Sequence, residues 1–433
     1  MEKIRAWFAF AERQTDFRTE IVAGMTTFFS MLYIVIVIPM MFSRGGMEFG
    51  GVYVATVFAT MMATLTMGIA ANYPIAVAPG VGVNAYLAYV VVVAGGMPWQ
   101  EAMGAVLVAS GVLMIFSLSS LGEMLLRAIP LSLKAAVTVG LGLFMAMLGL
   151  ENGRLVVASP ITGVTLGDLS DPLAALTLLG LFLTLLLMMM GVRGAVFIGM
   201  FLTAAVSCAV GVMEVPAAPF SLPWGMEKTL GQFAFGDLGS LGMTAFALFL
   251  VTLLDTTGTV LGVGRQARLM TSKTFPRLKN ALWAGSVGGL VGALAGTGPT
   301  TALAESGTGV AAGGRTGFTA VVTAILFGVL LFCAPLSRMM AEVPAITAPA
   351  LILSGAFLME SVTDIDWKDY TEAFPAFFTL LLMPLSFSIA TGIGVGFVLY
   401  VFLKAVAGKG QRVHPLLYAL SILFVIQLVL RMP

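Results

Sequence analysis

Two carboxylates, Asp255 and Glu305, stand where the surrounding sequence offers no water. Asp255 lies in the apolar run Leu241 to Gly264, within Leu-Leu-Asp255-Thr256-Thr257-Gly258-Thr259, and Glu305 lies in the glycine-rich stretch Gly296 to Gly314. A charged carboxylate at mid-membrane costs roughly 2.5–3.5 kcal/mol on insertion scales, so acids at that depth normally face a cavity and carry function. The remaining acids, Glu20, Glu101, Asp171 and Glu372 among them, read as loop residues or as lying within a few residues of the end of an apolar run. No basic residue is buried near the pair, which disfavours an anionic cargo. A cation fits, and so does a flat neutral molecule rich in N–H donors, which a carboxylate grips through two parallel hydrogen bonds. A buried carboxylate that changes protonation between two faces also serves to couple transport to protons.

Such residues need a membrane scaffold, and the composition supplies one. Of 433 residues, 59% are hydrophobic and 10% charged, with a mean hydropathy of +1.02; soluble domains carry about 25% charged residues. A water-soluble globule is excluded. The 22 Lys and Arg against 21 Asp and Glu give a net charge of +1, which points to no nucleic-acid partner. Two cysteines and one histidine are too few for a zinc site or a disulfide framework. Cys208 and Cys333 read as packing residues and His414 as a loop residue.

Reading charge-poor stretches of about 20 residues as spans gives fourteen, seven on each side of an interval from Glu214 to Ser240. The first set is Ile21 to Phe42, Val52 to Asn72, Ile75 to Ala94, Glu101 to Leu121, Leu131 to Leu150, Leu173 to Met190 and Ala195 to Met213. The second is Leu241 to Gly264, Ala281 to Gly296, Thr300 to Gly313, Phe318 to Ala334, Pro344 to Leu358, Ala373 to Leu385 and Phe387 to Leu403. Pro415 to Leu430 is either a fifteenth span or a helix lying against the bundle. The first nineteen residues lack a signal-peptide pattern and read as a cytoplasmic amphipathic segment. On this count sixteen basic residues fall in loops on the N-terminal side, among them Arg127, Arg193 and Lys273, and only Arg44, Arg154, Lys228 and Arg338 fall on the other. That bias expects a cytoplasmic N-terminus.

The third span of each set is interrupted. Pro299 and the glycines around Glu305 work against a continuous helix, since in a helix interior glycine costs about 1 kcal/mol and proline about 3 relative to alanine. The counterpart in the first set is Tyr73-Pro74-Ile-Ala-Val-Ala-Pro79-Gly80-Val-Gly82-Val-Asn84-Ala-Tyr86. Interrupted segments at corresponding positions of two halves point to a transporter binding site between repeats, with half-helix amides lining it. Seven spans are an odd number, so the second repeat is inverted. Asn84 brings an amide opposite the carboxylates, Tyr86 is the aromatic placed for stacking, and amides near Gly82, Gly307 and Gly309 are candidates to meet acceptor atoms. Asp255-Thr-Thr-Gly has the look of a protease triplet but sits in a long apolar run, and no phosphate loop or ATPase module is present. The residues alone support a proton-coupled carrier of a small, donor-rich solute.

The chain resembles the nucleobase/cation symporter-2 family of the nucleobase-ascorbate transporter superfamily, in its hypoxanthine/guanine/adenine permease branch. The segments that carry the likeness are Glu20-Ile-Val-Ala-Gly24, Asn72-Tyr-Pro-Ile-Ala-Val-Ala-Pro79-Gly-Val-Gly-Val-Asn84-Ala, Asp255-Thr-Thr-Gly258-Thr259, Glu305-Ser-Gly-Thr-Gly-Val-Ala-Ala-Gly-Gly-Arg315, Thr347-Ala-Pro-Ala and Ser388-Ile-Ala-Thr-Gly-Ile-Gly. The resemblance implies an all-α polytopic membrane protein of fourteen helices in two inverted seven-helix repeats, with helices 3 and 10 broken. It implies a core domain of helices 1–4 and 8–11 that moves as an elevator against a gate domain of helices 5–7 and 12–14. Asp255 and Glu305 then match the acidic substrate positions of helices 8 and 10, and Asn84 matches the polar position of helix 3. Asp255 paired with Thr259 fits the purine branch. Two positions depart from the branch: Ile38-Pro39 stands for an Asn-Pro, and Thr252 stands for a second acid; the latter would weaken or alter cation coupling.

The expected division is a cytoplasmic segment 1–19, core 20–121 and 241–335, gate 122–213 and 336–406, an inter-repeat segment 214–240 and a C-terminal apolar segment 407–433. The expected function is import of guanine, hypoxanthine or adenine by proton symport across the inner or plasma membrane, with no cofactor, no metal and no enzymatic step. The expected substrate residues are Asp255, Glu305, Asn84, Thr259, Gly307, Gly82 and Tyr86, with Asp255 and Glu305 coupling protons. The expected partners are the purine, the proton, the lipid bilayer and a second copy of the chain in a homodimer. The alternative is an uncoupled or sodium-coupled carrier of another nucleobase such as xanthine or uracil.

Overall fold

The computed structural model describes residues 2–119, 128–160, 162–192, 194–214, 220–269 and 277–430. Arg127, Arg193, Lys273 and the expected boundary at 121 lie outside the described residues. Hydrocarbon forces every backbone group to find an internal partner, and the apolar runs answer with helices. They are α1 (Glu2–Trp7), α2 (Phe17–Met31), α3 (Ile34–Arg44), α4 (Phe49–Thr66), α5 (Val81–Ala85), α6 (Trp99–Leu118), α7 (Leu131–Asn152), α8 (Pro172–Met189) and α9 (Ala195–Ala209) in the first half. The second half has α10 (Leu238–Gln266), α11 (Leu278–Ala295), α12 (Ser306–Ala311), α13 (Gly317–Val329), α14 (Ala334–Glu342), α15 (Pro344–Leu358), α16 (Tyr370–Leu385), α17 (Ile389–Val406) and α18 (Pro415–Leu430). Among the described residues eight helices are long and apolar enough to cross a bilayer unaided, and α13 with α14 makes a pair bent by 80°. The expected span Phe318 to Ala334 therefore ends at a corner, where α14 turns aside.

The helices sort into two groups by what they pack against. In one, α11 lies on α4 and α6, α13 on α2 and α4, and α10 on α6; in the other, α7 lies on α15 and α16, and α8 on α9 and α15. Contacts of α7 with α10 and α5 join the groups. Pro415 to Leu430, unassigned from sequence, is a helix held on α17 by Ser421 Oγ donating to the Phe397 carbonyl at 3.1 Å and by the Phe397–Phe424 ring contact.

The broken third spans are extended at their centres. β1 (Val77–Pro79) and β4 (Thr300–Ala302) pair antiparallel, with Val77 opposite Ala302 and Pro79 opposite Thr300. Backbone exposed at membrane depth must be satisfied, and side chains supply what the short ladder cannot. The Thr64 hydroxyl both accepts from Val77 N and donates to Val77 O, Ser306 Oγ accepts from Ala76 N, and Thr300 Oγ1 donates to Gly285 O. From β1 the chain enters α5 and continues as a π-helical segment, Tyr86–Ala94; a second π-helical segment, Met67–Ala71, ends the preceding span. A hairpin, β2 (Val156–Ser159) with β3 (Gly163–Leu166), lies beyond α7.

One acid corrects the reading of charge. Glu20, taken from sequence to sit near water at a span end, is fully buried. Its carboxylate accepts from the amides of Arg315, Thr316 and Thr319 and from the hydroxyls of Thr15, Thr316 and Thr319. It thus caps α13, whose free N-terminal amides favour a negative partner, and ties the start of α2 to the exit of the second broken segment. Beside it Arg13 donates to the carbonyls of Asn72 and Arg315. These contacts place the N-terminal segment at the same face as the start of the first broken span and the end of the second, as the span count requires.

Candidate functional site

The site lies beside the paired strands, between α10 and the second broken segment. A cavity of about 40 Å³ is lined from one helix group by Tyr33, Gly80, Val81, Gly82, Asp255, Thr259 and the run Thr301 to Glu305, and from the other by Leu141, Met145, Ser354, Phe357 and Leu358. Asp255 and Thr259 stand one turn apart on α10, a spacing that puts both on one helix face. Asp255 is 7% exposed and faces Thr301 on β4. Glu305 is the residue before α12 and is half-buried. Asp255 and Glu305, singled out in the sequence, both line this one cavity.

Glu305 has a partner that sequence reading missed. Tyr33, buried at the joint between α2 and α3, donates its hydroxyl proton to Glu305 Oε1 at 2.5 Å. Ser354 Oγ on α15 donates in turn to the Tyr33 oxygen at 2.9 Å. One carboxylate oxygen is thereby held by a three-member relay that crosses from one helix group to the other. The signal available in sequence was a lone tyrosine and a lone serine in apolar runs, which hydropathy does not distinguish from packing residues.

The other expected site residues divide. Gly82 lines the cavity, and a Cβ there would lie 2.5 Å from Leu141 Cδ1, so glycine is what lets α5 approach α7. Asn84 is fully buried away from the cavity wall. Its Nδ2 donates to Gly80 O at 2.7 Å and Pro299 O at 3.0 Å, which makes it a staple between the two broken segments. Gly298 packs directly on its Oδ1, where any Cβ would clash. Tyr86 is fully buried and does not line the cavity. Gly307 also lies off the wall, and its amide is spent on Ala304 O at 2.9 Å. Gly309 packs against Thr27 of α2. Among the described residues no cluster of His, Cys, Asp and Glu is arranged to hold a metal ion.

A small cavity walled by two helix groups, with one acid on a long helix and the other on a broken mid-membrane segment, is the arrangement of a secondary transporter. Residues 18–398 match a permease family, and the chain belongs to that family, the nucleobase/ascorbate transporters; it is a multi-pass membrane permease and not an enzyme. It is 46% identical over 428 residues to the guanine/hypoxanthine permease PbuO of Bacillus subtilis, covering 97% of this chain and 99% of that one. It is 36% identical to the adenine permease AdeP of Escherichia coli, covering 98% and 95%. Among solved structures, the transmembrane domain of a cyanobacterium bicarbonate transporter, BicA, superposes with a TM-score of 0.60 at 16% identity, covering 87% of this chain and 96% of that one. SLC26A9 gives 0.61 at 12%, covering 93% and 69%. These likenesses show the fold, with its two inverted repeats.

Proposed function

We propose that the protein imports purine nucleobases, namely guanine, hypoxanthine or adenine, by proton symport across a cell inner or plasma membrane, with its N-terminus cytoplasmic. The observation that carries this reading is the meeting of Asp255 and Glu305 in one cavity over the crossed broken segments. Guanine and hypoxanthine offer ring N–H donors, and guanine and adenine an exocyclic amine. Glu305 Oε1 is already engaged by Tyr33, so Oε2 takes a donor of the base. Asp255 takes a second donor or the coupled proton, and Thr259 supplies a hydroxyl that both donates and accepts. Asn84 acts at one remove, by stapling the two broken segments to each other.

A cavity of about 40 Å³ has space for roughly three waters. Admitting a purine therefore requires Leu141, Met145 and Phe357 to draw back from the acids. This supports an elevator in which a core (20–121 and 241–335) moves against a gate (122–213 and 336–406), in a chain that forms a homodimer. The two PbuO- and AdeP-type relatives, named for guanine/hypoxanthine and for adenine, support the purine class.

Uptake of labelled purines into proteoliposomes under an imposed proton gradient tests the reading. Accumulation above equilibrium, abolished by a protonophore and lost in both Asp255→Ala and Glu305→Ala, is expected. Accumulation driven by sodium instead would replace the coupling ion, and unchanged uptake in both variants would remove the site.

A further inference from the structure

The deep cavity is closed in one direction and opens in the other. On α10, Asp255 shares a face with Leu248, Val251 and Thr252 toward the helix start and with Thr259, Gly262 and Gln266 toward its end, since spacings of three, four, seven and eleven return to one face. The first three are buried. Gly262 and Gln266 are exposed. The facing helix α7 repeats the pattern: Leu141 and Met145 line the cavity, Leu148 beyond them is buried, and in the other direction the same stripe runs through Thr138 to Lys134, which is half-buried. On α12, Glu305 is half-buried and Thr308, one turn on, is exposed. All three elements gain exposure toward one end. That end is the face of the N-terminal segment, because α12 leads on to Arg315, whose carbonyl accepts from Arg13.

Gly262 is exposed without facing lipid, because protein flanks it on both sides. Gln266, one turn on, lies against α12, its Oε1 2.8 Å from where a Cβ on Gly307 would stand. On the other flank Arg265 reaches across to Asp364, just beyond α15, at 3.7 Å. One turn deeper, Gly258 meets α7, where Thr138 Oγ1 is 3.1 Å from a Cβ built on that glycine. Between these contacts, nothing among the described residues lies within 4 Å of the Cβ position of Gly262. The open space is a cleft between the two helix groups, and Gly262 stands seven residues, about 10 Å of helix, from Asp255.

We propose that this cleft is the path by which the base leaves the deep cavity toward the N-terminal face, and that Gly262 sets its clearance. Glycine is among the poorest helix formers, and no neighbour crowds this position into needing one. What the missing side chain provides is width. Cα–Cβ bonds tilt toward the start of a helix, so any side chain at position 262 leans up the cleft toward Thr259 and Asp255, into the way of a departing ring. Gly258 differs, since there the hydrogen lets α10 approach Thr138. The inference rests on the purine reading above and adds to it a release step with a residue of its own.

The test uses the full-length protein with Cys208 and Cys333 replaced by serine. Gly262→Cys, in membrane vesicles of either orientation, is expected to react with a membrane-impermeant thiol reagent about tenfold faster from the N-terminal face than from the other. Gly262→Leu favours the helix and fills open space, so its melting temperature in detergent should not fall. It is expected to slow guanine uptake into proteoliposomes about tenfold while leaving equilibrium binding of labelled guanine within about twofold of wild type. Equal labelling from both faces, faster labelling from the opposite face, or wild-type uptake by Gly262→Leu would each overturn the path. A lowered melting temperature, or loss of guanine binding in Gly262→Leu, would overturn it as well, by showing that the space is filled or belongs to the deep site. The labelling needs no cargo, so a wild-type chain that binds no purine would overturn the purine reading alone, with the cleft still judged by its sidedness.

Discussion

Tyr33 has one proton and gives it to Glu305, while its oxygen takes a proton from Ser354. The carboxylate is therefore oriented from two helix groups at once, and its second oxygen is left in a defined position for a ligand. Removing the phenol oxygen leaves Glu305 Oε1 without its donor, and a hydrogen bond to a charged group is worth about 1.5–3 kcal/mol. Tyr33→Phe is thus expected to raise KM for purine uptake about tenfold or more; Ser354→Ala, which touches Glu305 only through Tyr33, is expected to change it less. An equal effect of the two, or none, would show that the relay does not orient the acid. At this scale the sequence made Asp255 and Glu305 legible, because a charge in an apolar run is costly and stands out; Thr259 followed from lying one turn beyond Asp255, and Gly82 from lying in the break that Pro79 and Gly80 open. Tyr33 and Ser354 were not, since a hydroxyl that finds a nearby partner is tolerated in an apolar helix. That Asn84, Tyr86 and Gly307 lie off the cavity wall was not legible, because sequence shows that a polar or small residue is present at the break but not what it faces.

Helix starts are where polar side chains do regular structural work outside the hydrocarbon. Asp16, Asp171, Asp237 and Asp369 each cap the helix that follows by accepting from its first-turn amides. At Asp369 the Thr371 hydroxyl, the Thr371 amide and the Lys409 ammonium hold the carboxyl well below the usual range. A folded-state pKa below the unfolded value of about 3.9 means stability that is present above that pH and lost as pH falls through and below it. Asp369→Asn should lower the melting temperature of the detergent-solubilised protein at pH 7, and the gap from wild type should narrow below about pH 4; a gap that stays constant with pH would assign the effect to packing. The breaks themselves were legible from Pro79, Pro299 and their glycines. Their pairing into β1 and β4 was not, because antiparallel partners so far apart leave no local periodicity. Glu20 was misread for a related reason: its six donors come mostly from residues around Arg315, Thr316 and Thr319.

Across the whole molecule the inverted repeats produce matching contacts on opposite faces. Arg44, ending α3, meets Asn152, ending α7; Arg265, near the end of α10, meets Asp364, just beyond α15, at 3.7 Å. Each joins the first span of a set to the fifth, and each crosses between the two helix groups. If the groups slide past each other in each cycle, tying one such pair must stop transport. A cleavable bifunctional thiol reagent applied to an Arg265→Cys, Asp364→Cys pair, with Cys208 and Cys333 replaced by serine, is expected to reduce uptake to background and restore it on cleavage. Full uptake by the cross-linked carrier would exclude relative motion at that face. The crossed strands also bear on how the protein is made. Asn84 and the Pro299 carbonyl it holds are 215 residues apart, so at ribosomal rates of 5–20 residues per second the first broken segment waits about 10–45 s for the second. During that interval its open backbone sits in the membrane without its native partner. A nascent chain halted after the first repeat should therefore be a client for membrane chaperones or proteases, and the two repeats should behave as one unit of biogenesis.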